Sequence, residues 1–423
     1  MAKYRIKKSG PLQGTVPISG SKNASLALVA AAMAADGVST LENLPHISDL
    51  ETLFDICRDC GAIVTRINAT TVSIDPRPVT NPEAIHENVR QLRGSYYLLG
   101  AFLGKFGRAQ LALPGGCDFG ARPIDLHLKG FSALGADEEE QKAGMITLAT
   151  SRRRLKGASI FLDTVSVGAT INIMLAAVHA RGTTVIDNTA KEPHVVDCAN
   201  FLNAMGASVR GAGTDVIKIA GSLHLPAGRT YAVIPDQIEA GTYMMMAPLT
   251  HGDITVTNVI PKHMESLTAK LLEMGAEIEE GDDSIRVNCM NKKLKAISVK
   301  TMPYPGFPTD LQPQMVTLLT QATGTSRVIE NVWENRFQYI EQLKAMGAKI
   351  TTTGKLANIV GKEPMGGMTV TARDLRAGAA VAMAGLVAEG TTIVDQIETI
   401  ERGYEDFVHK MRSIGADIEE IPE

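Results

Sequence analysis

A Gly-Ala tag after a Cys, Leu, Met or Ile recurs six times along the 423 residues. It reads Cys60-Gly61-Ala62, Leu134-Gly135-Ala136, Met205-Gly206-Ala207, Met274-Gly275-Ala276, Met346-Gly347-Ala348 and Ile414-Gly415-Ala416. Its glycines are almost evenly spaced, roughly 70 residues apart, a longer period than the roughly 20–50 residues of solenoid repeats. A second tag, a Gly followed by a mostly β-branched run, begins at Gly37, Gly107, Gly182, Gly252, Gly324 and Gly390. Each of these glycines precedes the next Gly-Ala tag by nearly the same interval, longest between Gly107 and Gly135. Two tags that hold phase over six periods make the chain a set of repeats, and that constrains the fold more than any other feature.

Each repeat has a physical reading. Ahead of the second tag lies an apolar stretch, such as 24–35, 95–106, 170–181 or 378–389. These are rich in Ala, Leu and Met nearly all round, so they predict buried helices ending at a Gly cap. The β-branched run predicts a strand. An amphipathic helix then ends at the Gly-Ala tag, as in 264–274 or 337–346, and another strand or hairpin follows. Six units of about 70 residues suit two domains of three, each enclosing its apolar helices beneath sheets. A continuous solenoid is the alternative.

Composition excludes several classes. Lys plus Arg is 42 against Asp plus Glu 46, a net charge of -4, so there is no basic stripe for duplex nucleic acid. Aromatics are 4% with one Trp, too few for a base-stacking platform. The longest apolar stretch, 24–35, falls short of the roughly 20 residues that span a bilayer, so no membrane insertion is expected. No signal peptide is read in the polar start, and five Cys make no disulfide framework. The expectation is a cytoplasmic protein with no metal and no cofactor.

Function should sit where polar residues gather. Before each buried helix stands a polar cluster: Ser21-Lys22-Asn23, Gln91-Leu92-Arg93, Ser166-Val167-Gly168, Asp236 to Glu239, Thr309-Asp310 and Asp374-Leu375-Arg376. Helix N-termini favour anions, and Lys22, Arg93 and Arg376 there suit phosphate or carboxylate. N-capping by Ser, Thr and Asp is the plainer reading of each cluster taken singly. The second repeat carries the longest interval, and its excess lies in the Gly-rich loop 114–123 with Cys117 at its tip and Arg122 nearby. A nearby cation favours a reactive thiol. Cys57, Cys60, Cys198 and Cys289 read as packing residues.

With these residues in view, the sequence is recognisable. Ser21-Lys22-Asn23, the segment Leu113 to His127, Ser166 to Thr170, Phe307 to Asp310, Glu334 to Phe337, Asp374 to Ala377 and Glu401 to Glu405 closely resemble the UDP-N-acetylglucosamine 1-carboxyvinyltransferases of the enolpyruvyl transferase family. The resemblance runs end to end in collinear order. It implies two inside-out α/β barrel domains, each of three repeated units of about 70 residues. One domain is 22–234, and the other is 1–21 plus 235–423.

The resemblance further implies transfer of the enolpyruvyl group of phosphoenolpyruvate to the 3′-hydroxyl of UDP-N-acetylglucosamine with loss of phosphate, the first committed step of peptidoglycan precursor synthesis. By motif matching, Cys117 is the proton donor and Asp310 the base, and Lys22 is the third catalytic residue. Lys22, Arg122 and Arg402 hold phosphoenolpyruvate, with Asn23, Arg336 and Arg376 lining its site. Arg93, Arg122, Pro123, Ile124, Asp125, Leu126, Ser166, Val167, Asp310 and Val332 match the nucleotide-sugar site. Four positions depart from the usual pattern: Asp118 beside the thiol, Thr164, His194 and Gln237. The sister enzyme 5-enolpyruvylshikimate-3-phosphate synthase and a non-catalytic nucleotide-sugar sensor are the competing readings. The Cys-bearing loop and the segment Ser166 to Thr170 weigh against the first, and intact Lys22, Cys117, Asp310 and Arg402 against the second.

Overall fold

The computed structural model describes residues 2–113, 124–139, 144–152, 154–225 and 229–422. The chain divides into two compact units. The described residues from Gly20 to Ile234 form one; those up to Ser19, together with Pro235 onward, form the other. Each unit has its own apolar core.

Among the described residues the strands make six four-stranded sheets, three per unit. All six share one arrangement: an outer parallel pair followed by two antiparallel pairings. In one of them Ser159–Phe161 runs parallel to Thr183–Asp187, which pairs antiparallel with Val216–Ala220 and through it with Ser208–Arg210. The six sheets thus share one pairing scheme among the described residues, and the architecture is mixed α/β.

Three sheets are completed by strands from a distance. Thr230–Ala232 lies parallel to Ser39–Glu42 and supplies the outer strand that the first repeat lacks. Gln13–Pro17 does the same for Asp253–Thr257 in the other unit. Lys3–Lys7 sits between Thr391–Asp395 and Ile418–Ile421, where the other repeats use their own hairpin. Leaving these edges unpaired would expose rows of N–H and C=O groups.

Beneath the sheets run the apolar helices, Lys22–Ala34, Tyr97–Phe106 and Val167–Ala177 in one unit. Gln237–Thr250, Gln312–Leu319 and Leu375–Gly385 are their counterparts in the other. Nearly every residue on them is buried, which explains why they lack a polar stripe. Gly100 allows the closest of these approaches, because a Cβ there would stand 2.1 Å from the Asn172 carbonyl oxygen.

The Gly-Ala tag has a local cause. All six of its glycines have φ between +88° and +108°, the left-handed region that favours Gly. The following Ala N–H reaches the carbonyl five residues back each time, as Ala62 to Cys57 and Ala348 to Leu343. This is the Schellman closure of an amphipathic helix.

The second tag needs a correction. Of its glycines, Gly107 alone caps its helix directly, with φ +72°. The helix Val167–Ala177 stops five residues before Gly182, and Leu375–Gly385 stops five before Gly390. At 251 the left-handed cap is His251, and Gly252 serves close approach instead. Its Cβ would lie 2.0 Å from the Leu12 carbonyl oxygen on the incoming N-terminal segment.

Candidate active site

Capping accounts for part of the polar clusters. Ser21, Ser166, Asp236 and Asp374 each accept a backbone N–H from the first turn of the helix they start. The neighbours of these caps remain to be explained.

In the first unit, Lys22 opens a buried helix and is itself 9% exposed. Its Nζ lies 2.6 Å from Asp49 Oδ2, on the first turn of the amphipathic helix Ser48–Asp59. Asp49 balances a charge that burial would otherwise penalise heavily. Asn23, next along, is half-buried. Cys117, Asp118, Arg122 and Pro123 lie outside the described residues.

A second group in this unit gathers around Arg93. Its guanidinium stands 6.0 Å from the Tyr96 ring, and Tyr96 in turn tilts against His127 with ring centroids 6.2 Å apart. Asp125 opens the helix Asp125–Ala133 that carries His127, flanked by half-buried Ile124 and Leu126. The start of the helix Val167–Ala177 meets the same place: a Cβ on Gly168 would be 3.1 Å from His127 Nε2. Arg93, Asp125, Ser166 and Val167, widely spaced in sequence, therefore converge on His127. Burial, aided by Arg93 and opposed by Asp125, pushes the imidazole down to about 4, so it is neutral at physiological pH.

In the second unit, Asp310 lies on the single 3-10 turn Thr309–Leu311 ahead of the helix Gln312–Leu319. Arg336 Nη2 is 3.0 Å from Asp310 Oδ1, and Arg376 Nη2 is 3.4 Å from Oδ2. Both guanidinium side chains are 5% exposed, whereas the Asp310 carboxylate is 30% exposed and accessible. Arg376 also lies over the Tyr404 ring at 5.5 Å, and its Nη1 is buried without a hydrogen-bond partner among the described residues. Two buried cations around one accessible carboxylate can hold an anion and orient a base. Half-buried Arg402 follows the short helix Glu398–Glu401.

Val332 is 38% exposed, on a loop organised by the buried carboxylate of Glu330. Glu330 accepts from the Thr301 and Thr309 hydroxyls and from the Val332 and Trp333 N–H groups. Glu330 and Asp49, acidic residues in ordinary sequence surroundings, carry no signal in the sequence. Lys410 carries none either: it lies 2.6 Å from Glu239, a member of the polar cluster 236–239, and burial outweighs Lys410 and lifts the Glu239 carboxyl to about 7.

Of the departures, Thr164 is exposed, and His194 and Gln237 are half-buried. Cys57, Cys60, Cys198 and Cys289 are buried, and burial raises every one of these thiols. Among the described residues no group of His, Cys, Asp and Glu is arranged to hold a metal ion, and no helix is long and apolar enough to cross a membrane.

Residues 6–411 match the family model of EPSP synthase, 3-phosphoshikimate 1-carboxyvinyltransferase. The chain is 53% identical over 421 residues to a UDP-N-acetylglucosamine 1-carboxyvinyltransferase of Halothermothrix orenii, covering 100% of both chains. It is 51% identical over 419 residues to the Clostridium botulinum protein of the same name, covering 99% of each. Among solved structures it is similar to the enolpyruvyl transferase NikO of Streptomyces tendae, with 26% identity and a TM-score of 0.89 over 100% of this chain and 99% of the other.

Proposed function

We propose that this chain, which belongs to the EPSP synthase family and within it to the UDP-N-acetylglucosamine 1-carboxyvinyltransferases, transfers the enolpyruvyl group of phosphoenolpyruvate to the 3′-hydroxyl of UDP-N-acetylglucosamine and releases phosphate. That reaction opens peptidoglycan precursor synthesis, and a cytoplasmic location belongs to the same proposal. So do the division into 22–234 and 1–21 plus 235–423, and the inside-out barrel form of each three-repeat domain.

The geometric observation that carries the reading is the Asp310 carboxylate fixed between buried Arg336 and Arg376. The acceptor hydroxyl gives its proton to Asp310 as its oxygen bonds to C2 of the enolpyruvyl group. Cys117 gives its thiol proton to C3, and a tetrahedral adduct results. The Cys117 thiolate then takes a proton back from the new methyl group as the C2–O bond to phosphate breaks; an enol ether remains, and the proton held by Asp310 leaves with the phosphate. Lys22, Arg122 and Arg402 would hold phosphoenolpyruvate, with Asn23, Arg336 and Arg376 lining its site. Arg93, Arg122 to Leu126, Ser166, Val167 and Val332 would hold the sugar nucleotide. Each substrate is anionic, which accounts for so many cations.

Phosphate release tests the acceptor. Release should need phosphoenolpyruvate and UDP-N-acetylglucosamine together, and shikimate 3-phosphate should not substitute. Release with shikimate 3-phosphate alone as acceptor would move the chain to the sister activity.

A further inference from the structure

Glu330 follows the strand Thr325–Ile329 and is 1% exposed. Its Oε1 takes the Thr301 hydroxyl and the Val332 N–H at 2.8 Å each, and the Trp333 N–H at 3.1 Å. Its Oε2 takes the Thr309 hydroxyl at 2.9 Å. All four donors are neutral, and between them they use both oxygens. A carboxylate accepts on both, whereas an amide of the same shape would turn a donor toward one side. Thr301 and Thr309 bracket the segment 302–308, so one buried group fastens both of its ends.

The bond to Thr309 leads further. A hydroxyl has one proton, and Thr309 directs its own to Glu330. Its oxygen is left to accept, and Arg336 Nη1 donates to it from 3.3 Å. The other terminal nitrogen of that guanidinium, Nη2, lies 3.0 Å from Asp310 Oδ1. Glu330, Thr309, Arg336 and Asp310 thus form one directed chain, in which both ends of the Arg336 fork are held. Thr309 is also the first residue of the turn Thr309–Leu311 that carries Asp310. The same hydroxyl bond therefore fixes the backbone beneath that carboxylate.

We propose that Glu330 is a positioning residue for enolpyruvyl transfer: through the Thr309 hydroxyl and Arg336 it aims the Asp310 carboxylate at the acceptor hydroxyl. This rests on the transferase reading above, with Asp310 as the base. A base must stand within hydrogen-bond reach of the proton it takes, and an error of about 1 Å can cost about 100-fold in rate. A long Arg side chain holds that tolerance only when its own rotamer is locked by further hydrogen bonds. Glu330 supplies the lock from a place where it is shielded from water.

The test is kcat for phosphate release, measured with both substrates saturating and well below the melting temperature. It compares the parent chain with Glu330→Gln, Thr309→Val, Thr309→Ser and the double variant of the first two. Three donors keep the Gln oxygen at the Oε1 place, so its amide nitrogen faces the Thr309 hydroxyl and displaces that proton. Val keeps the shape of Thr309 and removes the hydroxyl. Each of these two should lower kcat about 10–100-fold. KM for UDP-N-acetylglucosamine should stay near the parent's, because the bonds at Oε1 survive in both. Ser keeps the hydroxyl and should retain most of the parental kcat. The double variant should lose no more than the worse single one, since both act through one bond. If Glu330→Gln does not fold, Thr309→Val against Thr309→Ser decides by itself. A lower melting temperature with parental kcat, or losses in kcat that multiply in the double variant, would overturn the inference and leave the transferase reading intact. A parent chain that releases no phosphate from the two substrates would defeat that reading, and the inference with it.

Discussion

Lys22 Nζ stands 2.6 Å from Asp49 Oδ2, with 11% and 8% of the two side chains exposed. In its proposed role of holding phosphoenolpyruvate, a buried Lys22 needs a counter-charge when the ligand is away, and Asp49 provides it. Removing one partner of a buried pair is costly, about 3–5 kcal/mol. Asp49→Asn should therefore lower the melting temperature by several degrees and raise KM for phosphoenolpyruvate, with a smaller change for the sugar nucleotide. An Asp49→Asn protein with parental melting and parental KM would show that the pair does not support Lys22.

Asp310→Asn keeps the shape and one acceptor oxygen, but it loses the second acceptor, the charge and the proposed base. The expected fall in kcat is about 10²–10⁴-fold, the range for loss of a general base. KM for UDP-N-acetylglucosamine should change far less. Steady-state kinetics decide it; a kcat within a factor of three of the parent would remove Asp310 from the proton transfer.

His179 is buried, and its Nε2 lies 3.0 Å from the Ala34 carbonyl. Burial pushes the ring down to about 4, below its unfolded value near 6.5. The neutral ring thus contributes stability that is fully present above about pH 6.5 and is lost as pH falls toward 4, roughly 2 kcal/mol of it by pH 5. His179→Gln has no proton to gain. The melting difference between parent and variant should shift in the variant's favour between pH 7 and pH 5, whereas a pH-independent difference would refute a buried neutral His179.

The Schellman closures make a graded prediction. Gly135 has φ +88° with nothing within 4 Å of a built Cβ, so Gly135→Ala should cost only the left-handed penalty of about 1–2 kcal/mol. Gly347 has φ +108°, and its Cβ would lie 2.6 Å from the Pro364 carbonyl oxygen. Gly347→Ala should melt lower than Gly135→Ala. The reverse order would mean that backbone conformation, not space, sets both costs.

Much of the fold is legible because its repeats are marked by local chemistry. A Gly in the left-handed region with an Ala N–H closing the helix is needed at every amphipathic helix end, whatever lies around it. The second tag misleads in part for the opposite reason: Gly252 answers to Leu12, far back near the start of the chain, and no spacing reports that. The same contrast holds at the site. Lys22, Arg93 and Arg376 stand out as cations at helix starts, and Asp310 through its motif. Asp49 and Glu330 are ordinary acidic residues until the fold brings Lys22, Thr301 and Thr309 to them. His127 is legible as part of a motif, but the amide that holds its ring, Asn172, lies on another helix further along the chain.

The most direct measurement is the identity of the product. Incubating the chain with phosphoenolpyruvate and UDP-N-acetylglucosamine, then recording the proton NMR spectrum of the recovered sugar nucleotide, should show two new vinyl protons and a shifted H-3 of the sugar, in step with the phosphate released. Cys117→Ser and Asp310→Asn should leave that spectrum nearly unchanged over the same interval. Phosphate released without the enol ether, or the enol ether on a hydroxyl other than the 3′, would contradict the account.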